Sequence, residues 1–407
     1  MGVRATNSKK KIFSDSALGL LGLSAMHAAL QIAVYPFLQR RFGESELGNI
    51  LYLISLMNVF CVSMGVSLGY ARIKTSADGK AQSTAYLVLL GAVSIAAIAV
   101  GAAISRLGTP EADAWDTALL SVLSVLTLIR YYADVEYKLT LNFGGLCKYY
   151  LMIALGYLFG ILLTLVTSRW ALSLICGEAF GIAYALARGR VLFADGRANA
   201  SEIAHVTRLT LVIFTSEALS SLIFNSDRII LKLLISSSAV TLYYLASLLG
   251  KTVALLTVSF GGVLIGYLAR FEGTLTPRAM RRITYVCALG LPVGTLALTA
   301  ASYVFVPLLY PDQLKGARPL FLWANGAQVA YFFANVITLV LLRFGKPRYQ
   351  LYVNVSYAAL FVLICIPSIK RGGLYGFCTG LAAVCLVRLA IAVSLGFFTA
   401  AKHHSNG

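Results

Sequence analysis

Five polar side chains share one face of an apolar stretch near the middle of the chain. On a helix drawn at about 100° per residue, Glu217, Ser221, Asn225, Arg228 and Lys232 fall within about 80° of one another and run along about 22 Å. Asp227 lies about 80° to the other side of Glu217. In a segment that crosses a membrane, each such charge costs about 2.5–3.5 kcal/mol on insertion scales, so this stripe is not expected to face lipid. Two alternatives remain. In the first, the stripe lines a hydrated cavity, where Arg228 and Lys232 hold an anion and Glu217 takes a coupling ion. In the second, the charges pair structurally, Asp227 against a neighbouring helix, with Lys232 snorkelling outward.

Other charges also sit in apolar surroundings. Lys251 shares a face with Ser247 and Tyr244, and Arg388 stands near the middle of the last apolar segment. Arg130 and Asp134 are spaced i,i+4, which suits a mutual ion pair. Glu178, within Gly177-Glu-Ala-Phe-Gly181, is a lone carboxylate suited to a proton or cation. His27 reads as a hydrogen-bonded packing residue. Asn325, Gln328 and Asn335 suit either a polar ligand or hydrogen bonds between helices. Within the expected spans the cations Arg130, Arg228, Lys232, Lys251 and Arg388 rival or exceed the acids. A cationic cavity implies an anionic ligand, and a phosphate or pyrophosphate headgroup fits it better than a cationic drug.

The elements that position these residues are membrane spans. The 407 residues are 59% hydrophobic and 12% charged, against roughly 25% charged for soluble domains. Mean hydropathy is +0.80. The expected fold is an all-α integral membrane protein with spans at 16–38, 48–70, 84–105, 116–137, 149–167, 171–188, 209–234, 239–268, 283–309, 318–342, 350–367 and 374–400. The first span follows Lys9-Lys10-Lys11, is too long for a signal-peptide core and lacks a cleavage site after it. The short connections 168–170 and 235–238 call for antiparallel hairpins.

A net charge of +18 does not point to nucleic acid, because the basic residues lie in short loops. The N-terminus, the even-numbered connections and the tail hold twenty-one of them and the odd connections eight, which places both termini in the cytoplasm. Six of seven cysteines fall in spans and Cys147 in an expected cytoplasmic loop, with no disulfide or metal spacing. His403-His404 reads as a tail, not a metal site. No nucleotide loop, HExxH or nucleophile elbow occurs, so neither a cofactor, a metal nor an enzymatic activity is expected.

The two halves repeat. Leu51-Tyr-Leu-Ile-Ser-Leu56 and Gly65-Val-Ser-Leu-Gly-Tyr-Ala-Arg72 return as Tyr243-Tyr-Leu-Ala-Ser-Leu248 and Gly262-Val-Leu-Ile-Gly-Tyr-Leu-Ala-Arg270. A duplicated six-span unit gives this order and orientation, with the binding site between halves. The expected organisation is a bundle at 1–190, a basic cytoplasmic linker at 191–208 and a second bundle at 209–407. Gly-x-x-x-Gly at Gly156/Gly160, Gly177/Gly181, Gly65/Gly69, Gly262/Gly266, Gly290/Gly294 and Gly376/Gly380 marks candidate close helix contacts.

Two hairpins resemble a known family. Pro36, Leu38, Arg40, Gly43, Glu46 and Gly48 match the turn between the first two spans of polysaccharide transporters. Asn225, Asp227, Arg228, Ala239, Val240 and Tyr243 match their seventh-to-eighth span signature. Lys232 departs from it where those proteins often have glycine, and the turn is rich in serine (Ser236–Ser238). The chain thus resembles the Wzx-type flippases of the multidrug/oligosaccharidyl-lipid/polysaccharide (MOP) exporter superfamily.

The resemblance implies a V of two pseudo-symmetric six-helix bundles in a bacterial or archaeal inner membrane. It implies translocation of an undecaprenyl-diphosphate-linked oligosaccharide by alternating access, often driven by a proton or sodium gradient. Arg228, Lys251, Arg388, Arg130 and Asn325 would contact this substrate, Glu217 or Glu178 the coupling ion, while Asp227, Arg40 and Pro36 would be structural or gating. The chain would act as a monomer among membrane lipids, alongside a polysaccharide polymerase and glycosyltransferases. A drug or peptide exporter of the same fold, or a polytopic polymerase or ligase, are the alternatives. The short external connections count against the last.

Overall fold

The computed structural model describes residues 18–405 apart from 78–82, 110, 195, 270–274 and 347, with the side chains of 77, 83, 254–269 and 402–405 also outside the description. The Lys9–Lys11 run, His403-His404, the Gly262/Gly266 motif and the Gly262–Arg270 arm of the repeat lie outside the described side chains. Every element among the described residues is helical. Ten helices there are long and apolar enough to cross a membrane. One of the ten, Arg348–Ala401, breaks at Gly372 and Gly373, where Gly373 has φ 54° and ψ −135°, and so is two helices. The ten do not include the 33-residue helix Ser237–Ala269. Helices therefore stand at all twelve expected positions.

In chain order they are α1 Leu18–Phe42, α2 Glu44–Ser76, α3 Thr84–Gly108, α4 Ala114–Leu139, α5 Phe143–Thr167, α6 Ala171–Arg188, α7 Ala200–Leu234, α8 Ser237–Ala269, α9 Pro277–Leu309, α10 Phe321–Phe344, α11 348–371 and α12 374–405. Large apolar side chains such as Ile95, Val166, Val293 and Leu363 stand exposed on their outer faces. Such a surface is unfavourable in water and suits lipid. The protein is a multi-pass membrane protein.

Helix ends depart from the apolar boundaries for an electrostatic reason. α1 continues past residue 38 to Phe42 and α2 begins at Glu44, with only Gly43 (φ 91°) between them. Arg40 and Arg41 occupy the last turn of α1, and Glu44 and Glu46 the first turn of α2. Each pair matches the partial charge of its helix end, so the helices extend beyond what hydropathy marks. Pro36 is buried within the helical run, two residues after the end of a π-helical segment, Ala29–Val34. Proline lacks the N–H of the i→i−4 ladder, and a widened turn beside it accommodates the loss. Further π segments occur at Asn58–Val62 in α2 and Phe361–Cys365 in α11.

Backbone contacts divide the chain into two compact units, Met1–Lys232 and Leu233–Gly407. The expected boundary at 191–208 falls inside the first unit, and α7 as far as Lys232 clusters there. Nor is the start of that connection a free linker. Glu136 Oε2 accepts the backbone N–H groups of Arg190 (3.0 Å) and Val191 (2.7 Å). Arg72 donates to the Val191 carbonyl (3.0 Å), and Thr84 to that of Gly196 (2.9 Å). These bonds strap the segment to the first unit, which composition alone does not reveal.

Within the first unit, α5 and α6 cross closely. A Cβ on Gly160 would come within 2.7 Å of Ser173 Cα, and one on Gly156 within 2.6 Å of the Cys176 carbonyl oxygen. The small-residue motifs of the two helices thus face each other, as the antiparallel hairpin requires. Cys147 is buried on α5, not in a loop, and all seven cysteines are buried and free. Within the second unit, α9, α10, α11 and α12 enclose a core that includes Met280, Ala334, Ile337, Leu341, Val353 and Leu389.

Candidate functional site

In the first unit the polar residues of α4, α5 and α6 close on one another. Arg130 donates from Nε to Glu178 Oε2 at 2.6 Å and from Nη2 to Oε1 at 3.2 Å. Tyr157 on α5 donates its hydroxyl to the same Oε1 at 3.0 Å. Tyr149 caps the Arg130 carbonyl (2.7 Å), and the Tyr131 ring lies 3.7 Å below the guanidinium. Arg130 is 5% exposed and Glu178 4%. The bidentate fork matches carboxylate geometry, which makes a charge-assisted pair strong and specific.

The i,i+4 pairing of Arg130 with Asp134 does not occur. Asp134 instead takes Lys138 at 3.0 Å and Tyr150 at 3.3 Å. Arg130 turns across to α6 because the glycine-lined crossing of α5 and α6 brings Glu178 close. A Cβ on Gly177 would strike the Tyr157 ring, and one on Gly181 would lie 3.5 Å from Arg130 Cγ. The Gly-Glu-x-x-Gly pattern was the available signal. The tyrosines of α5 carry no comparable one.

The α7 stripe is partly buried. Asn225 and Asp227 are buried, while Glu217, Ser221, Arg228 and Lys232 are half-buried. Asn225 donates to the Ser221 carbonyl at 2.8 Å, and Asp227 Oδ1 accepts the backbone N–H of Arg228 at 2.8 Å. Arg228 lies within electrostatic reach of Tyr35 on α1, Lys232 of Glu46 on α2, and Glu217 of Tyr70 on α2. Arg40 is exposed at the end of α1.

The second unit is built differently. Asn325 accepts from the Gly250 backbone N–H (3.1 Å) and donates to Ser302 (3.0 Å), joining α8, α9 and α10. Its amide is occupied in holding helices together. Gln328 likewise donates to the Tyr243 hydroxyl (3.3 Å), and Lys251, 7% exposed, lies 5.6 Å from the Tyr243 ring. Arg388 on α12 is 3% exposed. Its Nη2 donates to Asn335 Oδ1 on α10 (2.9 Å) and Asn354 Oδ1 on α11 (3.2 Å). The Tyr331 and Tyr357 rings lie 4.2 and 5.1 Å from it.

No carboxylate joins Arg388 among the described residues. The second unit has only two acids, Glu272 and Asp312, both in the sequence between long helices, against fourteen basic residues. No group of three His, Cys, Asp or Glu suited to a metal occurs among the described residues.

Solved structures share this architecture. The lipid II flippase MurJ in an inward closed conformation superposes with a TM-score of 0.71 at 9% identity, over 95% of this chain and 86% of its own. A point mutant of the Vibrio cholerae MATE transporter VcmN gives 0.66 at 12% identity, over 97% of both chains. A MOP-superfamily transporter from Pyrococcus furiosus, with a binding pocket described as of reverse polarity, gives 0.61 at 13% identity, over 98% and 96%. The chain has the fold of the MOP-superfamily transporters. No protein-family model and no curated protein matches the sequence. At these identities the likeness is one of fold. The fold agrees with the twelve expected helices.

Proposed function

We propose that the protein is a flippase of the Wzx type, moving an undecaprenyl-diphosphate-linked oligosaccharide from the cytoplasmic to the external leaflet of a prokaryotic inner membrane. The observation that carries this reading is the sign of the intramembrane charge. Arg130 is neutralised by Glu178, but the long helices of the second unit carry Lys251 and no acid. Cations in a low-dielectric interior favour an anionic ligand, and a diphosphate supplies one. The likeness to a lipid II flippase supports a lipid-linked substrate.

Arg228 binds the diphosphate in this reading. Glu217 is the coupling carboxylate, because Glu178 is already engaged by three donors. Transport proceeds by alternating access, with both termini cytoplasmic and glycosyltransferases and a polymerase acting before and after it. Arg228→Ala is expected to lower glycan export in a flippase-null strain about tenfold or more, the equivalent of about 1.4 kcal/mol of lost ligand affinity, with membrane abundance unchanged. Undiminished export would remove Arg228 from the site.

A second reading, a drug exporter, rests on the likeness to MATE transporters, which extends over nearly the whole of both chains. Purified protein in vesicles separates the two. A fluorescent lipid-linked sugar that changes leaflet supports the first, and uptake of cationic dyes the second.

A further inference from the structure

Arg388 combines deep burial with incomplete satisfaction. Among the described residues only Nη2 has acceptors, and both are neutral amide oxygens. Nε and Nη1 are buried and meet no acceptor among the described residues. A guanidinium offers five N–H donors, so three of them lack an acceptor among the described residues. The two tyrosine rings soften the cost of the charge through their negative faces but accept nothing from the edge of the guanidinium. A buried cation persists when an anion compensates it. The buried arginine of the first unit, Arg130, has its anion built in, as Glu178. In the second unit the neutral Asn335 and Asn354 stand beside the arginine instead.

We propose that Arg388, with Asn335, Asn354, Tyr331 and Tyr357, forms a binding site for one small monovalent anion, a halide or a carboxylate no larger than formate. Size follows from burial: the donors lie inside the packing of α10, α11 and α12, where a diphosphate bearing lipid and sugar does not fit. The ligand meets Nε or Nη1 and restores local neutrality. Each asparagine amide has N–H donors that a rotation of its side chain would turn towards the ion. This site is independent of the flippase reading, and its test uses no lipid substrate.

The test is thermal unfolding of the purified full chain in detergent, at constant ionic strength, with sodium gluconate replaced stepwise by chloride or formate. An anion that binds only the folded state raises the unfolding midpoint in a saturable way. Wild-type protein is expected to show that rise with chloride and formate. Asn354→Asp, which places a carboxylate beside Arg388 as Glu178 stands beside Arg130, is expected to fold and to lose the rise. Arg388→Gln is expected to lose it as well. Should Arg388→Gln fail to fold, the aspartate variant still decides. Equal midpoints in gluconate, chloride and formate for wild-type protein would overturn the site, as would a full chloride response in Asn354→Asp.

Discussion

Arg130 and Arg388 are each a single guanidinium buried among three consecutive helices, α4–α6 in one unit and α10–α12 in the other. Their surroundings differ in one respect. Arg130 faces a carboxylate that also accepts from Tyr157, so the cluster is neutral and closed. Arg388 faces two amides and two rings, so the cluster keeps its charge. A neutral cluster inside a bundle serves as a joint between helices, because any ligand must compete with an internal partner already in place. A charged one is poised for something from outside.

The comparison breaks most sharply at Glu178. Glu178→Gln leaves the Arg130 charge buried with a neutral partner, and removing one member of a buried pair typically costs about 3–5 kcal/mol. The expected result is a large fall in the unfolding midpoint and in folded protein recovered from the membrane. Arg130→Met alone should cost a similar amount, by stranding Glu178. The double variant Arg130→Met/Glu178→Leu should recover much of the loss, since an apolar pair of similar volume substitutes well for a buried ion pair. A stable Glu178→Gln protein would show that the pair does not neutralise Arg130.

The same substitution at the other arginine should behave differently. Arg388→Met removes a charge that has no carboxylate and leaves two amide oxygens short of one donor each. Those half-buried asparagines can rotate, so the expected change is about 1–2 kcal/mol or less. Comparing Arg130→Met with Arg388→Met by thermal unfolding under identical conditions, in gluconate, measures the asymmetry directly. Equal losses would mean that Arg388 is balanced as Arg130 is.

The sequence carries the helices plainly and the pairs hardly at all. Hydropathy finds span positions because lipid imposes one rule on each outward face, and Val166 and Leu363 obey it. Pairing depends on which inward faces meet, and spacing along one helix says little about that. The Arg130–Asp134 spacing was correct for a local pair, yet Arg130 reaches a residue 48 positions on, and Asp134 takes Lys138. The glycine motifs of α5 and α6 did point to the crossing that makes this reach possible. The α7 stripe was legible as polar. That Asn225 and Asp227, on its two flanks, are buried while Glu217 and Arg228 between them are half-buried required the packing of neighbouring helices. The strap at Glu136 was not legible, because it holds backbone groups, and those are the same at every residue.

A third ion cluster in the first unit sharpens the comparison from the other direction, because it repeats the chemistry of Arg130 and Glu178 in an exposed place. Arg169 reaches Asp113 at 2.7 Å and Asp116 at 2.8 Å between helices. Asp113 is also the N-cap of α4 and accepts the Asp116 backbone N–H at 2.7 Å. That N–H first, and the Arg169 side chain next, hold the Asp113 carboxyl below its ordinary value. A depressed value in the folded state means that the unfolded state takes up its proton first as pH falls. The contribution of Asp113 is therefore fully present above the ordinary aspartate value of about 3.9, and is lost as pH falls through the lower folded value. Asp113→Asn should flatten that acid limb in unfolding followed against pH, with little change near neutrality beyond the cap itself. In water, solvent and salt screen such a pair, and its effect should be the smallest of the three. An Asp113→Asn loss at neutral pH as large as that of Glu178→Gln would show that pairing alone, and not burial, sets the cost at Arg130.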